Sequence, residues 1–160
     1  MLTHIDSGKP KQANLRRAVS AAYYSLFHML VDEACRAIIG SQHSQQGFRQ
    51  SLARAFVHST MKSACSSFAG SQRPTSVFKA LPQPYVISNA IINVSDKFKE
   101  LQKKRHSADY DLSERFQRSE VSTLIEQLSV HIDDFLNLPA SDERQFFLVC
   151  LLSWKELGSR

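Results

Sequence analysis

Ile87-Ser-Asn-Ala-Ile-Ile-Asn-Val-Ser-Asp-Lys-Phe-Lys-Glu-Leu-Gln-Lys-Lys-Arg-His-Ser-Ala-Asp-Tyr-Asp-Leu112 decides how this chain folds. Ile87, Ile91, Val94, Phe98 and Leu101 recur four and three residues apart. That rhythm marks one face of a helix and not a strand. It predicts a helix whose seam faces a core. Extending it lands on Arg105, Ala108 and Leu112. Arg105 thus stands where the next core residue belongs. A guanidinium is too costly to desolvate alone, so it needs a carboxylate, a carbonyl or a ligand phosphate.

Working toward the N-terminus, Pro82 and Pro84 mark a boundary, because proline cannot continue a helix interior. Before it, a helix is expected from about Gln46 to Ala69, with Phe48, Leu52, Ala55 and Phe56 on one face. Its second half, Met61 to Phe68, keeps the period less well and predicts a kink. Gly70 to Thr75 reads as a loop. The first helix runs from about Gln12 to Ile39 and ends at Gly40, a natural residue just past a helix end. Its apolar stripe is Leu15, Val19, Ala22, Leu26 and Met29, flanked by Tyr23, Leu30 and Ala34. On the opposite side lie Arg17, Tyr24 and His28, with Ser25 and Asp32 beside them.

Toward the C-terminus, Ser119 is the expected cap of a fourth helix, with Glu120 in its first turn. Val121, Leu124, Ile125, Leu128, Ile132 and Phe135 make its buried face. Pro139 follows its end, and Ser141 caps a last helix over about 141–157. The run Phe146 to Leu152 is wholly apolar, which calls for burial on several sides or a dimer contact. The reading is therefore all-α. It is a single domain over 1–160, an up-and-down bundle of four main helices with its core over about 12–136, plus a C-terminal helix.

The length of 160 residues suits one domain with a usable core. No apolar run approaches the ~20 residues that cross a membrane, so no membrane association is expected. The N-terminal Met1 to Leu15 carries no apolar segment of the secretory kind. Cys35, Cys65 and Cys150 are widely spaced and form no zinc pattern; reduced, buried thiols in a cytoplasmic protein are the expectation. No Glu-x-x-His pair, glycine-rich phosphate loop or zinc spacing occurs, so neither a metal nor a cofactor is expected.

The net charge of +5 is uneven. Lys97, Lys99, Lys103, Lys104 and Arg105 stand against the single Glu100, which suits either a nucleic-acid surface or an ordinary solvated helix face. Arg105 and Asp109 are four apart and able to pair on one helix face, as are His106 and Tyr110. A structural ion pair is one reading of this cluster. The other is a phosphate site for RNA cleavage without metal. There, a histidine moves protons near the working pH, and a planar guanidinium grips the phosphate with two bonds. Arg54 and His58, also four apart, are expected to face a common ligand.

Two segments together resemble the HEPN family (higher eukaryotes and prokaryotes nucleotide-binding domain). They are Leu15-Arg-Arg-Ala-Val-Ser-Ala-Ala-Tyr-Tyr-Ser-Leu-Phe-His28 and Phe98-Lys-Glu-Leu-Gln-Lys-Lys-Arg-His-Ser-Ala-Asp-Tyr-Asp111. The resemblance covers roughly 12–136. It implies a helical bundle that is commonly a homodimer. Many members are metal-independent endoribonucleases, including toxins of toxin–antitoxin pairs and defence proteins; others are non-catalytic interaction or nucleotide-binding modules. It also implies an antitoxin or a nucleotidyltransferase-type partner protein.

The family's nuclease motif is an arginine followed, after four to six residues, by a histidine. Arg105 matches the arginine, while Tyr110, Asp111 and Leu112 occupy the histidine's positions. On this basis the catalytic candidates are Arg105, His106, Asp109 and Tyr110. The RNA-binding candidates are Arg17, Tyr24, His28, Arg54, His58, Lys103 and Lys104.

Overall fold

The structure, a computed structural model, describes residues 11–158, and no strand occurs among them. Seven helices follow in order: α1 (Gln12–Ile39), α2 (Gln46–Ala53), α3 (His58–Ala69), α4 (Thr75–Phe78), α5 (Asn89–Tyr110), α6 (Arg118–Leu136) and α7 (Asp142–Gly158). None is long and apolar enough to cross a membrane.

The all-α bundle is as expected, but the helices share the core differently. α1, α5, α3 and α7 form a closed ring, each packed on the next. α6 lies outside the ring against α1 and α5, and α2 lies against α1. α7 is thus a core helix: Phe147, Leu148, Cys150 and Leu151 are fully buried. The apolar run Phe146–Leu152 is explained by burial on several sides, and the core extends past Leu136 to Trp154.

The expected helix over 46–69 is two helices. Successive helical residues are ~100° apart, so on one continuous helix Met61, Cys65 and Phe68 would point roughly half a turn away from Leu52 and Phe56. Both sets pack into the core. The chain satisfies both by breaking between them. Phe56 ends a tightened turn, its N–H donating to Ala53 O, and Val57 is extended. Phe48, expected on the buried face, is instead exposed, as is Ala55.

α5 matches its seam closely. Ile87, Ile91, Val94, Phe98 and Leu101 are all buried. Ser88 caps the helix, its hydroxyl accepting from Ile91 N–H. The helix stops at Tyr110, so Leu112, expected to continue the seam, is out in solvent. α6 starts at Arg118, with Gln117 at the cap position two residues before the expected Ser119. Ile125 on its expected buried face is 39% exposed. Ser141 caps α7 as anticipated, its hydroxyl accepting from Arg144 N–H at 3.1 Å.

A smaller cluster of Leu15, Ala18, Val19, Ala108, Phe116 and Val121 joins the start of α1 to the end of α5 and the start of α6. Arg16 ties it together. Its guanidinium donates to the carbonyls of Ala108 at 2.8 Å and Glu114 at 2.5 Å. Gln12 adds a reciprocal pair of bonds to the backbone of Phe116. These bonds fix the C-terminal end of α5, the stretch that carries Arg105 to Tyr110.

Candidate functional site

Arg105 is gripped by α1. Its Nη1 donates to Tyr24 Oη at 2.7 Å, and its guanidinium carbon lies 5.2 Å from the Tyr23 ring centre and 5.4 Å from that of Tyr24. Such cation–π contacts contribute about 0.5–2 kcal/mol each, more as the cation is desolvated. Asp109, one turn on, is 3.7 Å from Arg105 Nε and accepts from the Ser20 hydroxyl at 3.1 Å. The seam position therefore holds an arginine because two tyrosine faces, a hydroxyl and a loosely placed carboxylate replace the apolar neighbours.

The side chain is 19% exposed, so it is sheltered yet reachable. Nε is enclosed without a hydrogen-bond partner, whereas Nη2 is neither bonded among the described residues nor enclosed. Part of the fork remains free to donate.

His58 completes the cluster from the first residue of α3. Its Nδ1 is 2.5 Å from the Tyr23 hydroxyl, and its ring stacks on Phe27 at 4.2 Å. Burial, then the neighbouring Arg105 guanidinium and the His28 ring, hold the imidazole below its ordinary value, so it is neutral at pH 7. Burial likewise pushes the Tyr23 phenol well above its ordinary range. Tyr23 therefore keeps its proton. A hydroxyl both donates and accepts, so this bond survives either neutral tautomer of His58 and its protonated form. His28 stands alongside, its ring 6.1 Å from Tyr24 and nearly parallel to it.

The remaining candidates divide. His106 and Tyr110 pack on one another at 4.9 Å, both exposed, and no described contact of either reaches Arg105. Arg17 and Lys103 are exposed with no described partner. Lys104 is held by Glu120 of α6 at 2.8 Å, which raises its affinity for the proton and occupies the ammonium. Arg54 and His58, expected on one helix face, are separated by the break between α2 and α3.

Two members were not anticipated, Ser20 and the buried Tyr23, whose hydroxyl end is invisible in a pattern that counts it as core. His58 was a candidate from the sequence, and the phase jump before it is the signal that it opens a separate helix.

Among the described residues no three His, Cys, Asp or Glu side chains converge as a metal site requires. Cys35, Cys65 and Cys150 are free and buried, and burial pushes the thiols of Cys65 and Cys150 up to about 12, leaving them unreactive at neutral pH. Comparison of the chain with protein-family models, with curated proteins and with solved structures gives no match.

Proposed function

We propose that the chain is an RNA-binding protein of the HEPN type and that the Arg105 cluster is a metal-independent endoribonuclease centre. The observation that carries this reading is the pairing of a sheltered, incompletely satisfied guanidinium with a neutral histidine supplied by a different helix. His58 takes the part that the family's motif gives to a residue near Tyr110. Arg105 binds the scissile phosphate and offsets the charge that grows there. Tyr24 and Asp109 hold the guanidinium in its plane. His58 accepts the 2′-hydroxyl proton as the 2′-oxygen bonds to phosphorus. The bond to the 5′-oxygen breaks, and that oxygen takes a proton from solvent. The products are a 2′,3′-cyclic phosphate and a 5′-hydroxyl.

The reading also includes a homodimer in the cytoplasm, with a cognate antitoxin or nucleotidyltransferase-type partner. An apolar groove of about 390 Å³ between α1 and α6, lined by Ala21, Ser25 and Ile125 among others, supports a protein contact on the side of α1 next to Tyr24. Sedimentation of the purified chain tests the dimer.

A second reading, RNA or nucleotide binding without cleavage, is favoured by the exposed Tyr110, which stands where the family has its histidine. One assay separates the two. Structured and single-stranded RNA are incubated with the protein in the presence of a chelator, and product ends are mapped. Cleavage leaving cyclic phosphate, lost in Arg105→Ala while the fold persists, supports the enzyme. Intact RNA together with unimpaired growth on overexpression eliminates the enzyme and leaves the binding module.

A further inference from the structure

A groove of about 290 Å³, lined by polar and apolar side chains alike, runs between α1 and α2. Its volume is at the small end for ligand sites, enough for one phosphate or nucleotide-sized group. Arg49 lines it and is itself buried at 9% exposure. Buried arginines normally face a carboxylate. Arg49 has none among the described residues. Its Nη1 donates to the carbonyls of Gly40 at 2.7 Å and Gln42 at 2.9 Å, closing the end of α1. Its Nε and Nη2 make no hydrogen bond among the described residues, yet neither is enclosed. The open side of the fork is therefore presented to the groove.

The rest of the lining agrees in chemistry. Gln46 and Gln50 add neutral polar groups, and Arg36 brings a second guanidinium balanced by Asp32 at 2.9 Å. His28 belongs both to this lining and to the Arg105 cluster, one ring from Tyr24. The groove and the cluster are thus consecutive along α1, with His28 between them. Asp32 also lines the groove and offsets Arg36, so the uncompensated charge is that of Arg49; beside a cluster proposed to bind phosphate, it fits a strand carrying phosphates at regular intervals.

We infer that the groove between α1 and α2 is a second phosphate subsite, in which Arg49 binds the backbone of single-stranded RNA several nucleotides along the strand from the phosphate held by Arg105. The inference rests on the RNA reading above. It implies that the strand runs along α1, from the end of α5 toward the end of α1. An unpaired strand bends into so narrow a groove more readily than a duplex.

Arg49 also closes α1, so replacing it risks the fold. The exposed Gln50 is the better probe, because Gln50→Glu puts a negative charge into the groove without touching the core. Gln72→Glu, in the exposed loop after α3, is the charge-matched control. Binding of a fluorescent ten-nucleotide single-stranded RNA is measured across a salt series for wild type, both variants and Arg105→Ala. Each phosphate contact on a single strand contributes about 0.7 to the slope of log affinity against log salt.

Gln50→Glu is expected to weaken binding about tenfold and to lower that slope by about 0.7, with Gln72→Glu near wild type. If wild type binds, Arg105→Ala weakens it, and the two glutamate variants behave alike, the groove inference is overturned while the RNA reading stands. If wild type binds no RNA at any salt, the RNA reading fails and the groove inference falls with it.

Discussion

The hydroxyl of Tyr23 and Nδ1 of His58 stand 2.5 Å apart, joining the middle of α1 to the first residue of α3. The pair lies where the hydrophobic core meets the open cluster around Arg105: Tyr23 is fully buried, and His58 is half-buried. It sets the ionic state of the site, because a buried phenol that keeps its proton and an imidazole held neutral leave Arg105 as the strong positive charge between α1 and α3.

Stability is expected to depend on pH through His58. Its folded value lies below the ordinary imidazole value, about 6.5, that it regains on unfolding. Between the two, the unfolded chain binds a proton that the folded chain does not, so this contribution is complete above about pH 6.5 and falls as pH drops below it. Urea unfolding at pH 7.5 and pH 5.5 measures it. His58→Gln should shrink the difference; an undiminished difference assigns it to other groups.

Arg105→Lys should not restore what Arg105→Ala removes. Lysine keeps the charge but loses the flat fork that lies against two tyrosine rings while donating to Tyr24. RNA affinity or cleavage is expected to fall about tenfold or more, the equivalent of one charged hydrogen bond at ~1.5 kcal/mol. Near-wild-type behaviour of Arg105→Lys would show that charge alone suffices.

Arg16→Ala removes the bonds to the Ala108 and Glu114 carbonyls and a cation over the Phe116 ring. A cost of about 1–3 kcal/mol is expected from the abandoned carbonyls. Hydrogen exchange should quicken over 107–116 and remain slow in α3 and α7. Uniform loosening across the chain would argue against a local tie.

Phe147→Ala tests the place of α7. The ring is fully buried and meets Phe68 at 5.0 Å and Phe135 at 5.8 Å. Denaturation should report a loss of about 3–5 kcal/mol. A loss well under 1 kcal/mol is what an appended C-terminal helix would give.

The periodic helices were legible in the residues themselves. The seam of α5 and the stripe of α1 repeat every three to four residues over long spans, and burial follows them almost residue by residue. The position of Arg105 was legible for the same reason, as a break in a regular pattern. Pairing between distant elements was not. Whether α6 or α7 completes the ring depends on which of two apolar faces fits the space beside α3, and periodicity is silent on that. The site was half legible. Arg105 and Asp109 meet as their four-residue spacing suggested, while Tyr24 joins them from α1 and His58 through Tyr23, a residue whose core pattern hid its polar end.

The four residues between Ala53 and His58 show how such a site is encoded. Ala55 is exposed and touches no part of the core, so its identity carries little information. The number of residues in the spacer carries a great deal. Removing one would shorten the link that lets α2 and α3 face the core independently, and either Phe56 or the Met61–Phe68 face would leave the core. His58 would turn away from Tyr23 in the same motion. The meeting of the histidine with the arginine is thus written in a spacer length, a property that tolerates substitution and forbids insertion or deletion.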